Sequence, residues 1–65
     1  MKNYLDAISD YNAALKLKPD SAKGFYNRGL SRYNTGDRKN GCDDMKKAAG
    51  LGDIDAKEFT SQQCR

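Results

Sequence analysis

The 65-residue chain contains no histidine and no tryptophan, and it has a single proline. Without histidine it lacks the commonest general base and metal ligand, which excludes nucleophilic triads with a His base. With 37% hydrophobic residues and no tryptophan, its core must be small. No apolar run approaches the length of a transmembrane helix. We therefore expect a small domain without enzymatic activity, metal, cofactor or membrane partner.

The charged residues are numerous but mixed in sign. Twelve basic and nine acidic residues give a net charge of +3, and they are interspersed along the chain. A surface specialised for nucleic acid concentrates Lys and Arg on one face, with aromatic residues between them. The adjacent carboxylates Asp43 and Asp44 point in different directions on a helix, which suits solvent better than acid–base chemistry. We expect an ordinary solvated surface and no nucleic-acid partner.

The spacing of apolar residues predicts about four helices and no strand. In the first helix, residues 4–17, apolar side chains recur at steps of three and four, and Pro19 prevents its continuation. Ser21, or Asp20 before it, is placed to cap the second helix, which should end near Gly36.

The third and fourth helices begin after turns of similar composition. Gly36 and Asp37 precede the third helix, predicted over residues 38–49, and Gly52 and Asp53 precede the fourth. Glycine can adopt positive φ, and aspartate can cap the helix that follows. Turns this short predict helices that lie antiparallel beside their predecessors.

The sequence also repeats itself with a period of 34 residues, which is typical of stacked helical repeats. Six positions coincide after this shift: Asp10/Asp44, Ala14/Ala48, Leu17/Leu51, Ala22/Ala56, Lys23/Lys57 and Phe25/Phe59. The fold class expected is all-α, an α-solenoid fragment of antiparallel helix–turn–helix repeats.

On these residues the chain resembles the tetratricopeptide repeat family. The residues that carry the resemblance are Ala7, Tyr11, Ala14 and Pro19 in the first helix and its turn, and Phe25, Gly29, Gly36-Asp37, Gly41, Met45 and Ala48 in the following unit. The chain departs from the family pattern at Arg28, Arg32 and Asp53, where Leu, Tyr and Pro are usual. The resemblance implies the second helix of a partial repeat over 1–21, a complete repeat over 22–55 and a capping helix over 56–65.

The resemblance further implies a protein–protein interaction module that binds a peptide or helix in a groove lined by the first helix of each repeat. The groove residues expected on this basis are Lys23, Tyr26, Asn27, Leu30, Lys57 and Ser61. Family members that clamp acidic chaperone tails use Asn and Lys at the places of Asn27 and Lys57. Here Ser61 stands where such members have Arg. We therefore favour the interpretation of Asn27 and Lys57 as ordinary solvated groove residues over that of a clamp for acidic tails.

An alternative function is structural. The first helix lacks the helix that normally covers it in this family, which leaves the apolar face Tyr4, Ile8, Tyr11 and Leu15. This face suits either a terminal, capping repeat of a longer array or self-association as a homodimer or a domain swap.

The two cysteines lie at similar distances on either side of the turn at Asp53. In an antiparallel hairpin, Cys42 and Cys64 would fall at the same height. One hypothesis is a disulfide that fastens the last helix and indicates an exported or periplasmic protein. The other is a pair of ordinary thiols in a cytoplasmic protein.

Overall fold

The computed structural model describes residues 4–64, apart from the side chain of Tyr4. This part of the chain forms four α-helices and no strand. They are α1, Tyr4–Leu17; α2, Ala22–Asn34; α3, Arg38–Gly50; and α4, Ile54–Gln63. Consecutive helices pack side by side, so the molecule is an all-α helical repeat fragment. None of the helices described is long and apolar enough to cross a membrane.

The first turn follows from Pro19 and Ser21. Proline cannot continue a helix, and α1 ends two residues before it. The Ser21 side chain accepts a hydrogen bond from the backbone N–H of Gly24 at 3.0 Å, which caps the start of α2. Of the two caps considered from the sequence, the structure uses Ser21.

The next two turns share one geometry. Gly36 has φ 96° and Gly52 has φ 104°, the left-handed conformation that glycine adopts without steric cost. In each turn the glycine N–H donates to the carbonyl three residues back, and the following aspartate N–H donates to the carbonyl five residues back. The carboxylates of Asp37 and Asp53 then accept from the backbone N–H three residues ahead, at 3.4 and 2.9 Å. Each Gly-Asp pair therefore ends one helix and begins the next.

Helices α2 and α3 approach each other closely at Gly29 and Gly41. A Cβ added to Gly29 would lie 2.8 Å from the carbonyl oxygen of Gly41. A Cβ added to Gly41 would lie 2.7 Å from the Gly29 carbonyl oxygen and equally close to the backbone nitrogen of Tyr33. Because these neighbours are backbone atoms, they cannot move aside as a flexible side chain could. The spacing of α2 and α3 requires glycine at both positions.

The hydrophobic core lies where α2, α3 and α4 meet. Met45, Ala48 and Ala56 are fully buried there. Five partly buried residues pack around them: Phe25, Tyr26, Leu30, Ala49 and Phe59. Helix α1 packs on α2 separately, through the buried side chain of Leu15.

We predict that Gly41→Ala lowers the free energy of unfolding by about 1–3 kcal/mol, because the added methyl group forces α2 and α3 apart. Urea denaturation followed by circular dichroism measures this loss. Gly50→Ala is the matched control, since a Cβ there meets no atom within 4 Å. The control should leave stability unchanged or raise it slightly. Equal stability of the two variants would contradict the proposed close approach.

Candidate functional site

The groove between α2 and α4 has aromatic walls. Tyr26 projects from α2 and Phe59 from α4, and together they border a cavity of about 210 Å³. Both rings are half-buried and pack against the core, so the scaffold holds them in place. Phe59 is further positioned by an edge-to-face contact with Tyr33, with ring centroids 5.1 Å apart. The groove thus offers a preformed aromatic surface.

The rim of this cavity is acidic. Asp55, Glu58 and Gln62 complete its lining, and all three are exposed. With Phe59 they occupy positions 55, 58, 59 and 62, the spacing of one helical face. Of the residues lining the cavity, two carry a negative charge and none a positive charge. The arrangement can accept an apolar group with a cationic end through cation–π contact and charge pairing.

Lys23 gives an internal example of such a contact. Its ammonium group lies 5.1 Å from the centre of the Tyr26 ring and 3.8 Å from a carboxylate oxygen of Asp53. The Lys23 side chain is 65% exposed, so this ion pair adds little stability. It does show that a cation can lie against Tyr26 without displacing the core.

The groove residues expected from the sequence are only partly brought together. Tyr26 lines the cavity, while Leu30 and Asn27 are half-buried on the same helix. Lys57 and Ser61 are exposed on α4, outside the lining of the cavity. Sequence reasoning missed Asp55, Glu58, Phe59 and Gln62 as groove residues, although their helical spacing could have identified them as one face.

A second polar cluster joins three helices. Arg28 of α2 forms two parallel hydrogen bonds to the Asp44 carboxylate of α3, at 2.8 and 2.9 Å. Arg32 donates to the same carboxylate at 3.1 Å, and Arg28 also donates to the Asn12 side chain of α1 at 2.9 Å. The hydrogen bond to Asp44 raises the pKa of Arg28, against a smaller opposing effect of burial. Arg28 and Arg32 therefore share one carboxylate partner.

The burial of Asp44 corrects the expectation that both adjacent carboxylates face solvent. Asp43 is exposed, but Asp44 is only 5% exposed. A buried carboxylate is stable when charged partners satisfy its oxygens, and two arginines do so here. This role explains Arg28 and Arg32 as structural residues.

The two cysteines lie next to each other in the structure. Cys42 lies on α3 and Cys64 directly follows α4, and their sulfur atoms lie at bonding distance. Their Cα atoms are 5.6 Å apart, within the usual range for a disulfide. The equal height expected from the hairpin is therefore observed. Among the residues described, no group of three or more potential ligands could hold a metal ion.

Comparison with known families agrees with the helical-repeat architecture. A family model described as a TPR repeat matches residues 1–36, which include α1, the following turn and α2. No curated protein and no solved structure gives a significant match. The matched segment covers more than half of the chain.

We predict that Asp44→Asn lowers the free energy of unfolding by about 2 kcal/mol, because two arginines lose a charged hydrogen-bond partner. Asp43→Asn is the matched control: the same change of charge one residue earlier, at an exposed carboxylate. It should change stability little. Denaturation midpoints of the two variants measure the difference, and similar midpoints would show that the cluster adds no stability.

Proposed function

The chain belongs to the tetratricopeptide repeat family, and from this premise we propose that it is a protein–protein interaction module. Its binding surface is the groove between α2 and α4, which holds an extended peptide or a helix of the partner. The observation that carries this proposal is the pair of half-buried aromatic rings, Tyr26 and Phe59, beside a cavity of about 210 Å³.

The aromatic rings serve as anchors. Aromatic side chains held rigidly at the centre of an interface contribute most of the binding energy in many complexes. Tyr26 and Phe59 are fixed by their packing on the core, so binding costs little conformational entropy in this protein. Leu30, half-buried one helical turn beyond Tyr26, extends the apolar surface along α2.

The polar groups select the partner. Asp55 and Glu58 favour a segment in which a Lys or Arg stands next to an apolar residue. Of the polar groove residues expected from the sequence, Lys23 contacts the Tyr26 ring and Asn27 lies on the same helix, whereas Lys57 lies outside the cavity and has no part in the selectivity proposed here. An acidic tail fits less well, because its carboxylates would face the acidic rim while Lys57 lies outside the cavity.

Peptides selected from a random display library for binding to this chain would test the proposal. We predict that the enriched peptides combine Lys or Arg with a neighbouring apolar residue. Tyr26→Ala should weaken a selected peptide about tenfold or more, since an aromatic anchor is lost. Glu58→Gln should weaken it a few-fold and reduce its dependence on salt. Isothermal titration calorimetry measures both effects.

Lys57→Gln is the control on the same helix, because Lys57 is exposed and outside the cavity. It should leave the affinity for a basic peptide unchanged or slightly increase it. The Glu58→Gln variant keeps the core intact, so its effect cannot come from unfolding. Enrichment of acidic peptides whose binding depends on Lys57 would contradict the proposed selectivity. Full affinity in the Tyr26→Ala variant would contradict the groove itself.

A second candidate function is self-association through α1. Ile8 and Tyr11 are half-buried on this helix, and Leu5 is 70% exposed. Leu15, expected from the sequence to belong to the same face, is only 7% exposed and packs within the chain. The Tyr4 side chain lies outside the described residues. The apolar surface proposed for a homodimer, or for a neighbouring repeat of a longer array, is therefore Leu5, Ile8 and Tyr11.

For this second candidate, we predict a concentration-dependent dimer of the 7.2 kDa chain that Tyr11→Asp abolishes, because a carboxylate would be buried in the apolar contact. Light scattering with and without reductant measures the mass and separates this contact from intermolecular disulfides. Leu17→Asp is the control on the same helix, at a side chain 89% exposed. A monomer at every concentration would exclude the dimer.

A further inference from the structure

A second cavity lies beside the two cysteines, at the other end of α4 from its N-terminal cap. Its volume is about 310 Å³. It is lined by Arg38, Lys39, Cys42, Asp43, Lys46, Gln63 and Cys64. Three of these residues are cationic and one is a carboxylate, so the cavity that exposes the sulfur pair is electropositive. The α2–α4 groove, by contrast, is lined by acidic residues and no cationic ones.

The periodicity of helix α3 places the three cationic side chains on the same face as Cys42. Arg38, Lys39 and Lys46 stand four and three residues before Cys42 and four residues after it, the spacings that place side chains on one helical face. Arg38 is held in position by Tyr33, with its guanidinium carbon 5.5 Å from the centre of that ring. Negative charge on the Cys42 sulfur is therefore stabilised by its surroundings.

Cys64 has a different environment. It is the C-terminal cap of α4, and its backbone N–H donates to the carbonyl of Thr60 at 3.1 Å. The last carbonyls of a helix carry the negative end of the helix dipole, which disfavours a negative charge nearby. Of the two sulfurs, Cys42 is the better place for a thiolate. Both cysteines are only half-buried, so a small molecule can reach them through the cavity.

We propose that Cys42 and Cys64 form a disulfide that exchanges with small anionic thiols, with Cys64 as the sulfur attacked and Cys42 as the leaving thiolate. The electropositive cavity attracts the incoming anion, and the same cations stabilise the charge that develops on Cys42. The site is separate from the α2–α4 groove, and it does not depend on the function proposed for that groove.

The exchange balances as two successive displacements. The external thiolate attacks the Cys64 sulfur, a new S–S bond forms, and the Cys42–Cys64 bond breaks with its electron pair on Cys42. A second external thiolate then attacks the sulfur of the bound thiol, which releases a small disulfide and leaves Cys64 as a thiolate. Two external thiols are oxidised to one disulfide, and the protein disulfide is reduced to two thiols.

The rate of this exchange can be measured with 2-mercaptoethanesulfonate, which is anionic, and cysteamine, which is cationic, at equal thiolate concentration. The rate of each thiol with the protein is divided by the rate of the same thiol with 2-hydroxyethyl disulfide, a neutral model disulfide. This ratio removes the difference in intrinsic nucleophilicity between the two thiols. At low ionic strength we expect the anionic thiol to be favoured about tenfold. High salt should reduce this preference towards one, because the charges are exposed and screened.

The double variant Lys39→Gln/Lys46→Gln should lose most of this preference. Lys47→Gln is the control, because Lys47 is exposed on the same helix but does not line the cavity. An unchanged preference in the double variant, or no preference in the unmodified chain, would overturn the electrostatic part of the proposal.

The leaving group is identified by mass spectrometry of the trapped mixed disulfide. Free thiols are first alkylated, and trypsin then separates the two cysteines by cutting at Lys46 and Lys57. We expect the adduct on Cys64 and the alkyl group on Cys42, and the reverse distribution would overturn the assignment. Two alkylatable thiols in protein purified without reductant would overturn the disulfide itself. Neither outcome bears on peptide binding in the groove.

Discussion

The contact between Gly29 and Gly41 is the constraint on which the rest of the structure depends. It brings α2 and α3 so close that a single methyl group would meet backbone atoms at less than 3 Å. At this spacing Met45 and Ala48 are fully buried beneath α2, and the small Ala56 allows α4 to reach the same core. Tyr26 lies on α2, and Phe59 lies on α4, which packs on the core formed at this spacing. The distance between α2 and α3 therefore also determines where the groove lies.

The charged cluster at Asp44 lies beside this contact, since a Cβ added to Gly29 would be 3.0 Å from the Asp44 Cβ. Arg28 contacts both α1 and α3, so one guanidinium group ties three helices together. Planar guanidinium groups suit this position because they form paired hydrogen bonds with a carboxylate in a defined geometry. Charged hydrogen bonds are directional, whereas apolar packing tolerates sliding. The hydrogen bonds of the cluster therefore restrict the rotation of α1 and α3 about α2.

Most of the fold could be predicted from the sequence because its signals are local. Pro19, Gly36-Asp37 and Gly52-Asp53 act within a few residues of themselves, and they mark the three turns between the described helices. The equal height of Cys42 and Cys64 was also accessible, since an antiparallel hairpin fixes relative height, whereas the sequence left open whether the two thiols are bonded. Burial of Asp44 and the acidic face of α4 were not predicted. Burial of Asp44 depends on the rotation of α3 about its axis, which is set by packing between helices. The spacing of residues 55, 58, 59 and 62 indicates that they share one face of α4, but the direction in which that face points is also set by packing between helices.

Helix α4 illustrates how several weak interactions fix a short element. It has ten residues and only Ala56 is buried, and an isolated helix of this length is marginal in water. Three contacts spread along its length hold it: the hydrogen bond from the Asp53 backbone N–H to the Ala48 carbonyl of α3 at its start, the Phe59–Tyr33 ring contact in its middle and the cysteine pair at its end. The same helix forms one wall of the acidic groove and, with Gln63 and Cys64, one wall of the basic cavity. Because α4 is held at both ends, the geometry of both cavities is fixed at once. A single apolar contact at the centre of α4 could not do this, because the helix would remain free to pivot about that contact.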